Sequence, residues 1–311
     1  MTGLRAAAED YLAMRRSLGF KLTTQGPHLM SFITFCEDRS AEHLTADLAI
    51  EWATRTVRGS SDGVYQARRL DVVRIFARHL QTLDPATEVP PLDVLAHRQR
   101  RVQPYLYPPA EITALMNAAE GLAPAMRAAT WQTLIGLLAV TGMRPGEACR
   151  LHGHDVDLDD GTLVVADSKF GKSRQVFLHP TAAAALRTYQ QARDETFPKP
   201  SADTFLVNSR GRPLHQDNLQ PTFAALKTAA GIGASPGRRG PRLNDLRHSF
   251  TVATMLDWYR DGGDVQARLP QLSTWLGHVD PKSTYSYLQA VPELLALAAG
   301  RLETTDGRAD L

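Results

Sequence analysis

Cysteine is nearly missing from this chain: its 311 residues include two, Cys36 and Cys149, far apart in sequence. No CxxC pair or disulfide framework can be built from them, so two reduced thiols in a cytoplasmic protein are expected. Long apolar runs are lacking too. The longest, Leu134 to Val140, falls far short of the roughly 20 residues that span a bilayer. The N-terminus, MTGLRAAAEDYL, has no apolar signal core. No membrane partner is expected. Charge of one sign is also scarce, with a net charge of +2, a weak hint of a polyanion partner. The placement of charge decides more, and arginine is locally clustered. Hydrophobic residues at 43% and charged residues at 22% exclude a disordered or fibrous chain.

Nucleotide and metal signatures are absent as well. Phe170-Gly171-Lys172-Ser173 resembles the end of a phosphate-binding P-loop, but Ala166 stands where the first glycine is required, and a strand pattern follows instead of a helix. His152 and His154, with Asp155, form a short HxHD run with no partner cluster, which is weak for a metal. No HExxH, GxSxG or dinucleotide fingerprint occurs. Neither cofactor nor metal is expected.

What is present reads as mainly α with a small β-sheet. The first hundred residues pattern as helices. Tyr11, Leu12, Met14 and Leu18 fit one helical face ending at Gly19. A second helix runs from His28 to Cys36, and Thr45 is placed as the N-cap of a third through Leu48 and Trp52. The fourth, Tyr65 to Leu80, carries the stripe Leu70, Val73, Phe76, Ala77 and Leu80, with Arg68, Arg69, Arg74 and Arg78 on its remaining surface. A proline-rich stretch follows, DPATEVPPLDVLAHRQRRVQPYLYPP, with Arg98, Arg100 and Arg101 close together. It suits an extended basic linker around a duplex, and equally an ordinary solvated connection. The expected division is a helical domain over 1–95, a linker over 96–107, a second domain over 108–302 and a polar tail over 303–311.

The second domain is mixed. Glu111 to Ala119 and Met126 to Val140 pattern as helices, Thr141-Gly142 as a break, and Pro145 as the first turn of a helix through Leu151. Gly161 to Ala166 and Gln175 to Leu178 read as strands joined by a hairpin over Asp167 to Arg174. Helices are expected again over Thr181 to Arg193, Gln216 to Ala230, Asn244 to Tyr259 and Pro270 to Leu276.

Four segments of this domain carry candidate chemistry. TGMRPGEACRL puts Arg144 at the mouth of a helix with Glu147 three residues on. DSKFGKSRQVFL puts Lys169 in a hairpin turn. LNDLRHSF sets Asn244 and Arg247 at i and i+3 on one helical face. LGHVDPKSTYSYL gives His278 and, nine residues later, Tyr287. Each alone has an ordinary structural reading, as a surface cation, a solvated lysine, a cap or a packed tyrosine. Their order and spacing together do not.

In this order the chain resembles the tyrosine recombinases, or phage-type integrases, from near Tyr105 to about Leu302. The set matches at Arg144, Lys169, Arg247, His278 and Tyr287. The resemblance implies a helical core-binding domain followed by a mixed α+β catalytic domain. It also implies cleavage of double-stranded DNA at a specific site through a 3′-phosphotyrosine, by a tetramer. It gives Lys169 the general-acid role, with Lys172 competing for it or contacting backbone, and sets His278 against the phosphate or the tyrosine. Arg68, Arg69, Arg74, Arg78, Arg98, Arg100, Arg101 and Lys172 would contact the duplex.

The chemistry of these residue types agrees. Two guanidiniums can hold the non-bridging phosphate oxygens in bidentate fashion, which lysine does poorly. Losing one such donor costs about 3 kcal/mol of barrier. Glu147 could orient Arg144, or simply favour the helix dipole. Asp280-Pro281 reads as a helix start. Tyr285 and Tyr287 are then about 200° apart around the axis, and spacing from His278 selects Tyr287. One position departs from the pattern. Asn244 stands where the family has histidine or sometimes lysine, and a neutral amide donates more weakly than a cation. That leaves two further readings, a catalytically impaired DNA-binding architectural partner and a type IB topoisomerase.

Overall fold

A computed structural model describes residues 3–55, 63–95, 104–166, 173–199, 201–233 and 240–277. The chain divides into two compact units, Met1–Arg101 and Val102–Leu311.

The first unit holds α1 (Leu4–Ser17), α2 (Gln25–Glu37), α3 (Ala46–Thr54) and α4 (Gly63–Leu80). Thr45 caps α3 as its sequence position requires, its hydroxyl accepting from the Leu48 amide at 3.3 Å. The α4 stripe is buried at all five positions and packs on Phe32, Ile33 and Trp52. Helix α1 departs from expectation: Tyr11 and Leu12 are buried, but Met14 and Leu18 face solvent.

Two of the four α4 arginines also depart from their expected place on the surface. Arg69 is buried, stacks 4.0 Å from the Trp52 ring and donates to the carbonyls of Ala53 and Arg55 at the end of α3. A cation there complements the negative end of the α3 dipole. Arg74 is buried too, donating to the Pro90 carbonyl at 2.9 Å and the Pro91 carbonyl at 2.6 Å, and pairing with Asp71. The beginning of the proline-rich stretch is thereby fastened to α4. Arg68 and Arg78 are exposed.

The second unit is built on α6 (Ala125–Thr141), which packs against α5 (Pro109–Glu120), α8 (Pro180–Thr196) and α10 (Asp245–Arg260). Leu134, Ile135, Leu137 and Leu138 are all buried, so the longest apolar run is a core helix enclosed on several sides. Helix α7 is short (Pro145–Cys149), and α9 (Leu219–Ala229) and α11 (Val265–Leu276) complete the helices described. Pro270 lies inside α11, not at its start.

Three antiparallel strands lie in the order β1 (Val156–Asp157), β2 (Thr162–Val165), β3 (Arg174–Phe177). The register Leu163↔Val176 turns Leu163, Val165 and Val176 into the core. Strand β3 begins one residue earlier than its pattern suggests, so Arg174 belongs to the sheet and not to the hairpin. Tyr107 is also packed: its amide donates to Ser249 Oγ at 2.8 Å and its hydroxyl to the Arg242 carbonyl at 3.1 Å.

Candidate active site

The site grows from two helix ends. Helix α6 stops at Gly142, which adopts φ +64° as its C-cap. A Cβ there would meet Phe250 Cδ1 at 2.5 Å, so glycine is demanded by space as well as by backbone. Two residues on, Arg144 is the N-cap of α7. Glu147 supplies the carboxylate half of a capping box, accepting from the Arg144 amide at 2.9 Å. The TGMRPGE run is thus a stop, a turn and a restart that set Arg144 at the mouth of a helix.

Helix α11 ends in the same way at Gly277, with φ +67°. A Cβ there would lie 2.8 Å from Arg174 Nη1. Three arginines from three different elements reach the successive carbonyls of this helix end. Arg174 Nε donates to the Trp275 carbonyl at 2.6 Å, Arg247 Nη2 to the Leu276 carbonyl at 2.7 Å, and Arg144 Nη2 approaches the Gly277 carbonyl at 3.5 Å. Arg247 also donates to the Gly142 carbonyl at 2.8 Å. Cations at two helix C-termini are favoured by both dipoles. Trp275 joins the same two ends, its indole donating to the Thr141 carbonyl at 2.9 Å.

Glu147 organises the charge. Its side chain is only 2% exposed and takes both Arg174 (2.7 and 3.2 Å) and Arg144 Nη1 (2.7 Å). Burial alone would push the carboxyl up, but hydrogen bonding and charge from Arg174, reinforced by Arg144, hold it down at about 2. Two guanidiniums therefore share one carboxylate. Arg144 keeps a 31% exposed side chain, so it is the one of this pair that can reach an incoming anion. The sequence pattern does not single out Arg174, because it places that residue in a hairpin. The signal available is an arginine where the strand alternation expects an inward residue.

Asn244 precedes α10 in a helical conformation and is half-buried, without capping the helix it opens. Arg247 is in the first turn of that helix and is buried. His248 points elsewhere, with Nε2 3.9 Å from Asp245 Oδ1, and burial first of all lowers its pKa. Asp245 itself accepts from Arg242 and stays inside. So Arg144, Glu147 and Arg247 come together with the residue immediately before His278. Lys169, Lys172, His278 and Tyr287, with Arg98, Arg100 and Arg101, lie outside the described residues.

Comparison with known proteins fits this geometry. Residues 107–293 match the model of the phage integrase family. Over 309 residues the chain is 39% identical to "Putative integrase/recombinase y4rB" of Sinorhizobium fredii, covering 97% of this chain and 98% of that protein. "Putative integrase/recombinase y4rE" of the same organism is 35% identical, covering 97% and 96%. The fold is shared with solved structures. The Tn1549 transposon integrase bound to transposon end DNA gives a TM-score of 0.67 at 15% identity, covering 96% of this chain and 98% of that one. The XerH site-specific recombinase bound to its difH substrate gives 0.64 at 19% identity, covering 91% and 80%. With three arginines converging on one helix end and the family's model matched through most of the second unit, the chain belongs to the phage integrase family, the tyrosine recombinases.

Proposed function

We infer that this chain is a site-specific DNA recombinase that cleaves and rejoins strands through a covalent bond between Tyr287 and a DNA 3′-phosphate. The carrying observation is the approach of Arg144 and Arg247 to the consecutive carbonyls of Gly277 and Leu276. Residues distant in sequence are gathered where the chain enters His278, nine residues before Tyr287.

In this reading the Tyr287 hydroxyl releases its proton to water or His278 as its oxygen bonds to phosphorus, and the bond from phosphorus to the 5′-oxygen breaks. Lys169 supplies the proton that the departing 5′-hydroxyl needs. Arg144 and Arg247 hold the non-bridging oxygens, where charge concentrates in the transition state. Glu147 and Arg174 act as positioning residues for Arg144. Asn244 adds a neutral donor and His278 a further contact. The phosphotyrosine conserves the bond energy, and attack by a 5′-hydroxyl returns the tyrosine, so rejoining needs no nucleotide. The helical domain over 1–95 is the core-binding domain, with Arg68 and Arg78 and the linker arginines Arg98, Arg100 and Arg101 on the duplex. Lys172 contacts backbone. Four copies act on two duplexes. Full-length relatives with integrase and recombinase names favour strand exchange over supercoil relaxation or a purely architectural role.

The test is a nicked trapping substrate carrying the cognate site. A covalent protein–DNA adduct is expected with the natural chain and none with Tyr287→Phe. An adduct that persists in Tyr287→Phe, or none from the natural chain on a site it demonstrably binds, overturns this reading.

A further inference from the structure

The chain leaving α7 runs straight into a side-chain cluster that the recombination chemistry does not use. Residues 151–155 are fastened along their backbone to residues 203–205. The Phe205 amide donates to the Leu151 carbonyl at 2.7 Å, and the Gly153 amide to the Asp203 carbonyl at 2.8 Å. His152 forms an antiparallel bridge with Thr204. Asp155, the apparent third member of the HxHD run, is buried and turned back to accept from the His152 amide at 2.9 Å. It serves the loop. Asp203, 49 residues away from His154 in the chain, is the exposed carboxylate that lies close to both histidines.

The resulting group is compact. Asp203 Oδ2 lies 2.8 Å from His154 Nδ1 and 3.8 Å from His152 Nδ1. The two imidazoles stack with centroids 5.2 Å apart and planes 16° from parallel. One ligand atom from each of the three residues falls within 4.8 Å of the other two. Gly153 leaves the space: a Cβ there would sit 3.1 Å from Asp203 Oδ1. Nitrogen and oxygen ligands bound to one ion at about 2.0–2.2 Å stand about 3 Å apart, so a small turn of these exposed side chains suffices.

We propose that His152, His154 and Asp203 form a binding site for a divalent transition-metal cation, with Zn²⁺ as its natural class of occupant. Two neutral imidazoles and one carboxylate suit a borderline cation and are poor for Mg²⁺ or Ca²⁺, which take oxygen ligands. Water completes the coordination, since the cluster faces solvent. The bound ion clips the segment after α7, the helix of Arg144 and Glu147, to residues 203–205, and adds stability to that part of the second unit by mass action.

The test uses the full chain freed of metal with a chelator and titrated calorimetrically with Zn²⁺. One equivalent is expected, with affinity lowered roughly tenfold or more in His154→Gln and in Asp203→Asn. A thermal-melting rise on adding Zn²⁺ should vanish in the same variants. Titrated with Co²⁺, the natural chain should show visible ligand-field bands without thiolate charge transfer, because Cys36 and Cys149 are both buried. All three altered side chains are exposed, so the variants keep the fold, which circular dichroism verifies. Asp203→Asn also keeps a partner for His154. Zn²⁺ uptake that is identical in the natural chain and in the triple variant His152→Gln/His154→Gln/Asp203→Asn overturns the site. So does no uptake up to about 1 mM, the weak end of biological metal sites.

Discussion

Glu147 is the residue on which Arg144 and Arg174 depend, and its ionisation gives a stability that can be read against pH. The carboxyl sits at about 2 in the folded chain against an ordinary value of 4.5. A pKa depressed by folding contributes stability that is complete above the unfolded value and is lost as pH falls through the folded one. Glu147→Gln should therefore be less stable than the natural chain at neutral pH, and the gap should close between pH 4.5 and 2. Urea denaturation across that range measures it, and a gap independent of pH would show that shape, not charge, holds the arginines. Asn244 makes a second prediction at this scale. A histidine there can carry charge to a phosphate oxygen. Asn244→His should raise the rate of strand cleavage about tenfold, a gain of roughly 1.4 kcal/mol. An unchanged single-turnover rate would mean that Arg144 and Arg247 already meet the demand.

Helix ends, more than helix interiors, decide whether the site forms. Gly277 has a positive φ and also clears the path of Arg174, whereas Gly231, at φ +70°, has nothing within 4 Å of its missing Cβ. Gly231→Ala should cost only the left-handed backbone strain of about 1–2 kcal/mol. Gly277→Ala should cost more and should also slow cleavage by displacing Arg174 from Glu147. Equal destabilisation by the two variants would remove the steric part of this account. The elements themselves are largely legible in the sequence. The α4 stripe, the Thr45 cap, the α6 stop at Gly142 and the two strands β2 and β3 follow from periodicity and capping chemistry. What escapes is long-range partnership. Arg69 and Arg74 look solvated in a helix pattern, because nothing local reveals Trp52 or the carbonyls of Pro90 and Pro91. Arg174 sits at a strand edge where pattern boundaries slip by a residue. Asp203 lies far from the histidines it meets, and Met14 and Leu18 satisfy the helical period of α1 without facing its core.

Across the whole molecule, binding to a polyanion must come from placed charge, since the net charge is only +2. The arginines of α4 separate into two kinds by burial. Removing exposed Arg68 or Arg78 should lower the slope of log affinity against log salt by about 0.9 for each phosphate left unneutralised, with stability unchanged. Removing Arg74 should instead destabilise the first unit by about 2 kcal/mol or more, because its carbonyl partners would be left without a charged donor. Equal salt slopes for Arg68→Ala and the natural chain would exclude that residue from the duplex interface. In the second unit, the three guanidiniums fastened to Trp275, Leu276 and Gly277 have a mechanical meaning. In the proposed reading, the rope that leads toward Tyr287 is tied, at its near end, to the two hands assigned to the phosphate, Arg144 and Arg247, and to Arg174, the brace behind the first of them. A tug on that rope would then move both hands and the brace together, so the readiness to cut and the readiness to hold would be settled by a single knot.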